Sequence, residues 1–133
     1  MIPPDAVPPV DGDEMLARYV LQSSHIRASN QSVKPDAFIP HPYRDLSVTR
    51  HREATETEIW NSGRTVAMQI GKTLHGRADL VAETCLRQQL TVKAAPLDDN
   101  PNHADISNWP ADKAAQKIIA LEISAAARFL PFG

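Results

Sequence analysis

The sequence predicts a single small α+β domain, in which a short mixed sheet is packed by two main helices at about residues 55–71 and 109–130. The chain of 133 residues has the length of one ordinary domain. Several short segments alternate polar and apolar residues, as strands do, and two longer segments carry apolar residues at helical spacing. Because these elements follow one another without a regular βα repeat, the pattern favours an α+β domain over a doubly wound fold.

Residues 1–13 are predicted to be a flexible, proline-rich tail, so that the folded domain occupies residues 14–133. Four prolines lie among the first nine residues, and no apolar period is visible there. Such a composition favours an extended or mobile segment. The same segment could dock on a partner protein, although it lacks a P-x-x-P core with a basic flank.

Two segments near the N-terminus carry the pattern of strands. Residues 14–26 contain the sequence RYVL at their centre, which favours a strand, although a short helix is an alternative. Residues 45–51 alternate clearly, with Leu46 and Val48 on one face and Arg50 in phase with them. Arg50 therefore lies at the end of the inward face, where it can reach a binding site at the rim or pair with a carboxylate.

The helix at about residues 55–71 begins with a capping box, because Thr55 and Glu58 have the T-x-x-E spacing. Gly63 lies in its middle and costs roughly 0.8–1 kcal/mol relative to alanine. We therefore expect that a bulky ring or another backbone passes close to Gly63. Gly71 is expected to end the helix.

The segment between the two helices is predicted to hold short elements. Residues 77–80 favour a short strand, residues 81–88 one or two helical turns, and residues 90–93 a strand. Residues 97–102 form an acidic turn by composition. Residues 103–106 alternate like a short strand or an extended loop.

The last helix is predicted to begin near Trp109. Ser107 or Asn108 can cap it, and Pro110 fits its first turn. Its apolar residues cover so much of its circumference that we expect burial on more than one side. Pro131 is expected to end it. The apolar positions are Ala114, Ile118, Leu121, Ala125 and Phe129, widened by Ile119, Ile123, Ala126 and Leu130.

Charge and composition limit the classes of function. The net charge is −2 and the isoelectric point is about 6.2, so the chain has no basic footprint for nucleic acid. No segment is apolar for long enough to span a membrane, and no signal peptide is visible. The single Cys85 excludes an internal disulfide framework. These observations predict a cytoplasmic protein that binds neither nucleic acid nor membrane.

Three segments resemble motifs of a family of small bacterial proteins usually described as uncharacterised. In that family the motifs approximate an acidic residue followed by L-S-V-x-R, then G-R-A-D-L, then H-A-x-I-x-G-W-P-x-x-K. The resemblance extends from about Leu16 to Phe129. It implies no activity, and it associates the relatives with bacterial defence or mobile-element genes. The matching residues are Asp45 to Arg50, Gly76 to Leu80, His103, Ala104, Ile106, Trp109, Pro110 and Lys113, with Asn108 where the family has glycine.

The candidate site residues are Arg50, Arg77, His103, Trp109 and Lys113. If the strands that carry them are neighbours, these side chains converge near the N-terminus of the last helix, whose free N–H groups suit an anion. His103 is the candidate catalytic acid or base. Arg50, Arg77 and Lys113 are candidate ligand-binding cations, and Trp109 is a candidate stacking surface. The alternative is structural: Arg77 pairs with a carboxylate, His103 bonds the loop backbone, and Trp109 packs in the core.

Two functions remain open from the sequence, and an enzymatic activity is uncertain. No phosphate loop, nucleophile motif, metal-ligand spacing or cofactor motif is present, so no metal and no cofactor are predicted. The small size and the lack of a catalytic signature favour a bacterial accessory or interaction protein that acts through a protein partner. The alternative is a binder of, or an enzyme for, a small phosphorylated or nucleotide-like anion, using the cations and the histidine named above.

Overall fold

The computed structural model of the protein describes residues 2–40 and 44–132. It confirms the α+β prediction, with one six-stranded sheet and a separate two-stranded ribbon. None of the helices within these ranges is long and apolar enough to cross a membrane. The strands are β1 (Met15–Val20), β2 (Ile26–Arg27), β3 (Ser32–Val33), β4 (Leu46–Arg50), β5 (Gly76–Val81), β6 (Thr91–Ala94), β7 (His103–Ser107) and β8 (Arg128–Pro131). The α-helices are α1 (Glu56–Gln69), α2 (Ala82–Leu86) and α3 (Lys113–Ala126), and 3-10 helices lie at Pro4–Ala6, Ser23–His25 and Pro35–Phe38.

The strand order of the main sheet is β6-β7-β4-β1-β5-β8, and every described pair of strands is antiparallel. The sheet is therefore not the mixed sheet that the sequence predicted. A helix between two strands commonly joins parallel neighbours. Here α1 joins β4 to β5, which point the same way, but β1 lies between them and pairs with both. The crossover skips one strand, so no parallel pair forms.

The first main helix, α1, begins and ends as predicted. Thr55 Oγ1 accepts a hydrogen bond from Glu58 N at 3.1 Å, and Glu58 Oε1 accepts one from Thr55 N at 2.9 Å. Gly71, with φ of +66°, follows the end of the helix. The expected ring beside Gly63 belongs to Tyr19, since a Cβ built on Gly63 would lie 2.6 Å from Tyr19 Cε1.

The last helix, α3, is shorter at both ends than the predicted range 109–130. Asp112 caps it by accepting a hydrogen bond from Ala115 N at 3.1 Å. At its C-terminus the chain becomes extended and forms β8 against the edge of β5. One more turn of α3 would also give these residues backbone hydrogen bonds. The strand β8 does so too, and in addition it packs Phe129 against the core. Pairing with a distant strand has thus overridden the local helical preference of an alanine-rich segment.

Two apolar clusters lie on the two faces of the main sheet. The larger cluster includes side chains of α2 and α3, and the smaller one includes side chains of α1. The alternation along β1 shows the division, because Leu16 and Val20 belong to the larger cluster and Ala17 and Tyr19 to the smaller one. We refer to the two sides as the α3 face and the α1 face.

The α3 helix is buried along one stripe only. Its outward side chains include Ile118, which is 67% exposed, and Leu121, which is 53% exposed. The expectation of burial on more than one side is wrong, because the sheet covers one side of the helix and no described element covers the other. The buried positions are Gln116, Ala120, Ile123 and Ser124.

The second half of the proline-rich segment contacts the domain. Val10 packs against the larger cluster. Gly12 O accepts a hydrogen bond from Glu83 N at 2.7 Å. The flexibility predicted for residues 1–13 stays a prediction, but the segment contacts the larger cluster and helix α2 at these points.

Candidate functional site

Arg50 lies at the end of β4 on the α3 face and is 1% exposed. Its Nε and Nη2 atoms donate hydrogen bonds to the two carboxylate oxygens of Glu14, and Nη1 donates to Pro8 O at 2.8 Å. Burial raises the pKa of the Glu14 carboxyl, but the hydrogen bonds from Arg50 and from the Asp11 backbone, together with the charges of Arg50 and Arg52, outweigh this effect, so the pKa lies below its usual value. Arg50 is therefore a paired cation that attaches the N-terminal segment, and it has no free donor face for a ligand.

Arg77 lies in β5 on the α1 face and is also 1% exposed. It donates to Asp79 Oδ1 at 3.0 Å and to Glu56 Oε1 at 2.9 Å, and its guanidinium carbon lies 4.7 Å from the centre of the Trp60 ring. His51 Nε2 lies 3.2 Å from the same Asp79 oxygen. The positive charge of Arg77 is thus neutralised by neighbouring carboxylates, as the structural alternative proposed.

The five predicted site residues do not converge. Arg50 and Arg77 lie on opposite faces of the sheet, because Arg50 pairs with Leu16 of the larger cluster and Arg77 with Tyr19 of the smaller one. The strands β4 and β7 are neighbours, as the hypothesis required, but they are antiparallel. Arg50 therefore lies near the start of β7, whereas α3 follows the end of β7. The predicted site at the head of α3 receives neither arginine.

Trp109 and its neighbour serve the structure of the β7–α3 connection. Trp109 is 4% exposed, belongs to the larger cluster, and donates from Nε1 to Ile106 O at 2.9 Å. Asn108 has φ of +68°, a left-handed conformation that favours glycine and that asparagine tolerates better than most residues. Trp109 is therefore a core residue and offers no exposed ring on which a ligand could stack.

His103 bonds the backbone on one side and faces a carboxylate on the other. Its Nδ1 lies 2.8 Å from Ala95 O, so this nitrogen donates and carries hydrogen. Its Nε2 lies 3.7 Å from Asp105 Oδ1. Burial raises the pKa of the Asp105 carboxyl, and the charge of His103 opposes this effect. His103 lines a cleft of about 70 Å³ between α1 and the sheet, which is too small for a substrate beyond a few atoms.

A gap in the sheet lies between β1 and β4. The two strands pair only at Leu16 with Arg50 and at Ala17 with Thr49, although β1 continues to Val20 and β4 begins at Leu46. The side chain of Arg18 occupies the gap. It donates from Nη1 to Ser47 O at 3.0 Å, on the β4 residue that continued pairing would place opposite Tyr19, and from Nε to Ala37 O at 2.9 Å.

Arg18 differs from the other two arginines of the central strands in its partners. Within residues 2–40 and 44–132 it hydrogen-bonds only carbonyl oxygens and forms no ion pair with a carboxylate. Burial lowers the pKa of Arg18 to about 10. Arg18 is half-buried, and a partly desolvated cation without a counter-ion is stabilised when an anion compensates its charge. The position of Arg18 therefore marks a place that suits a negatively charged group.

Arg18 lies at the base of an open groove of about 800 Å³ between β1, the start of β4, the C-terminal end of α1 and the first turns of α3. Within the part of the chain that the structure describes, its lining holds four cationic side chains, namely Arg18, Lys72, Lys113 and Lys117, and two carboxylates, Asp36 and Asp45. His25 also lines the groove, and burial lowers its pKa. Apolar side chains, including Leu21, Ile39, Val66 and Ile70, form the rest of the wall.

The sequence identified only part of this groove. Lys113 lines it, and His103 lines the smaller cleft beside it, whereas Arg18 and Lys72 were not recognised. A usable signal was present, because Arg18 alternates in phase with Leu16 and Val20 as Arg50 does with Val48. An arginine in phase with core residues has to find partners, and the sequence does not show whether these are carboxylates or carbonyls.

Within the described ranges, no group of three or more histidine, cysteine, aspartate or glutamate side chains could hold a metal ion. Comparison with family models, curated proteins and solved structures gives no match to the chain. The function proposed below is therefore argued from the charged and apolar side chains of the groove around Arg18.

Proposed function

We propose that the protein binds a small anionic ligand in the groove, with the half-buried Arg18 as its charge partner. The uncompensated charge of Arg18 is the observation that carries this proposal. Its guanidinium presents a planar set of donors that suits carboxylate and phosphate groups. Lys72 and Lys113 line the same groove and add further positive charge at its wall.

The local charge supports an anion although the whole chain is acidic. The net charge of the chain is −2, yet among the described residues that line the groove cations outnumber carboxylates four to two. A concave surface of one sign concentrates ligands of the opposite sign and focuses the field on them. The apolar part of the wall suits a ligand that carries an uncharged ring or chain beside its anionic group. A phosphorylated or nucleotide-like molecule has this combination.

Binding, without catalysis, is the activity that we propose for the groove. His103, the candidate acid or base, lies in the neighbouring cleft beyond the sheet gap and does not line the groove. Its Nδ1 is held by a backbone carbonyl, and Nε2 faces Asp105. Among the described residues that line the groove, no nucleophile or base is held in the arrangement that catalysis requires.

The test is a thermal-shift and calorimetric titration with inorganic phosphate, pyrophosphate, nucleoside monophosphates and phosphosugars. A ligand at one hundred times its Kd stabilises the native state by about 2.7 kcal/mol, which raises Tm by several degrees. Arg18→Gln and Lys113→Gln should lose this shift, whereas Arg128→Gln, which removes an exposed cation elsewhere, should keep it. A wild-type protein that none of these probes stabilises, or an equal loss in the Arg128 variant, would contradict the proposal.

A second candidate function is interaction with a protein partner, and the exposed apolar side of α3 favours it. Ile118 and Leu121 project from the outer side of this helix. Large apolar side chains that lie together on a surface commonly mark an interaction site. An accessory role in the bacterial cytoplasm, in the defence or mobile-element context that the three motifs imply, belongs to this second proposal. Photo-crosslinking from Ile118, described below, tests it.

A further inference from the structure

The outward side of α3 has the spacing of a coiled-coil seam. Ala114, Ile118, Leu121 and Ala125 follow one another at intervals of four, three and four residues, and all four are exposed. This spacing assigns Ile118 and Ala125 to a positions and Ala114 and Leu121 to d positions of a heptad. The seam lies on the opposite side of the helix from the residues that pack on the sheet. It is therefore available to another helix without any change in the domain.

The charges beside the seam are arranged for a parallel partner with the same sequence. Lys117 precedes Ile118 and occupies a g position, and Glu122 follows Leu121 and occupies an e position. Both side chains are exposed, and neither forms an ion pair within the described ranges. Five residues separate them, so they cannot pair within one helix, where contacts are made at intervals of three or four. In a parallel pair of helices, g of one copy meets e of the other at this separation.

We propose that α3 pairs in parallel with α3 of a second copy of this chain. A β-branched residue at a and leucine at d favour two-stranded parallel pairing, and Ile118 and Leu121 meet this requirement. The two-fold axis brings Lys117 of each copy next to Glu122 of the other. In an antiparallel pair the g positions face g positions, so Lys117 would lose Glu122 as its partner. This inference rests on the second candidate function and names its partner, and it shares one residue, Lys117, with the lining of the groove.

The strength of this contact is limited by its length. Only two of the four seam residues are larger than alanine, and one helix of 14 residues spans about 21 Å. The buried area is below that of a standard stable interface, which places the dimer among weak, reversible assemblies. We therefore expect a monomer–dimer equilibrium with Kd in the micromolar range, visible as a concentration-dependent mass in sedimentation and light scattering.

Charge reversal tests both whether the two α3 helices are parallel and whether the partner is a second copy of the chain. Glu122→Lys places two lysines opposite each other at both pairs of the dimer, and we expect dimerisation to weaken about tenfold. The double variant Lys117→Glu/Glu122→Lys restores opposite charges and should recover the wild-type Kd within about threefold. Glu53→Lys, at a side chain that is 85% exposed in the connection between β4 and α1, should leave Kd unchanged. A wild-type chain that stays monomeric at all concentrations, or a double variant as weak as the single one, would overturn the proposal.

Photo-crosslinking in the producing cell identifies what covers the seam. Ile118 is replaced by p-benzoylphenylalanine and the cells are irradiated. A product with twice the mass of the chain supports self-association. A product that contains only a different protein overturns self-association and retains the broader interaction function. Absence of any product overturns both, and ligand binding in the groove is judged separately by its own thermal shift.

Discussion

Replacement of Gly63 by alanine should destabilise the protein, although alanine is the better helix former. Gly63 lies in the middle of α1, directly over the ring of Tyr19. A Cβ on Gly63 would lie 2.6 Å from Cε1 and 2.7 Å from Cδ1 of that ring. The ring cannot retreat freely, because Tyr19 is 8% exposed and its hydroxyl donates to Ile59 O at 2.6 Å.

The change in the free energy of unfolding for Gly63→Ala is the balance of a gain in helix propensity and a cost of overpacking. Alanine gains about 0.8–1 kcal/mol over glycine in a helix interior. Relief of the overlap needs a shift of roughly 1 Å to reach ordinary carbon contact, and overpacking of this kind costs about 1–3 kcal/mol. The shift also strains the buried hydrogen bond from the Tyr19 hydroxyl, which contributes about 1 kcal/mol. We expect a net loss of about 1–2 kcal/mol in the free energy of unfolding.

Urea unfolding followed by tryptophan fluorescence and far-UV circular dichroism measures this loss. Asn61→Ala is the matched control, since Asn61 is exposed in the same helix and should become more stable by a few tenths of a kcal/mol. In a Tyr19→Leu background the ring is absent, so Gly63→Ala should become neutral or stabilising. A Gly63→Ala protein as stable as the wild type, with a normal control, would refute the argument from ring contact.

The remaining predictions concern the buried charges and the thiol. Glu14→Ala leaves Arg50 buried without a carboxylate and should cost about 3–5 kcal/mol in urea unfolding, whereas Glu53→Ala, at an exposed carboxylate, should change stability little. The pKa of Glu14 in the folded state lies below its usual value. Ionised Glu14 therefore stabilises the folded protein above the unfolded-state pKa, and this stabilisation is lost as pH falls through the folded-state pKa. Unfolding midpoints measured from pH 6 to about pH 3 should therefore fall more steeply for the wild type than for Glu14→Gln, and equal slopes would contradict this reasoning. Burial raises the pKa of the Cys85 thiol to about 12. Ellman's reagent at neutral pH should therefore label Cys85 only at the rate of unfolding. Rapid labelling of the native protein would show that Cys85 is not a buried, unreactive thiol.

Features set by neighbouring residues were predictable from the sequence. The capping box of α1 needs only Thr55 and Glu58, and the alternation of β4 needs only consecutive positions. The cost of Gly63 in a helix interior correctly indicated a close ring, although not which one. In each case the signal lies within one element of the chain, and only the identity of the ring, Tyr19 of β1, depends on a distant one.

Features set by distant parts of the chain were not predictable in this way. Arg50 and its carboxylate, Glu14, are 36 residues apart in sequence, and the hydrogen bonds between them depend on the β1–β4 pairing. The segment Arg128–Pro131 has a local preference for helix, and only the edge of β5 turns it into a strand. The predicted convergence of the site residues depended on the same information. Arg50 and Arg77 were grouped by charge, and the sequence does not show that they lie on opposite faces of the sheet. The order and direction of the strands determine which side chains come together, and neighbouring residues in the sequence do not encode either property.

The two edges of the main sheet carry residues that resist the addition of another strand. β8 at one edge ends in Pro131, whose nitrogen has no hydrogen to donate, and it carries the exposed Arg128. β6 at the other edge carries the exposed Lys93. Proline and charged side chains at such positions prevent neighbouring molecules from continuing the ladder of backbone hydrogen bonds. The folded protein should therefore tolerate high concentration without forming fibrils, even where its molecules associate through a helix.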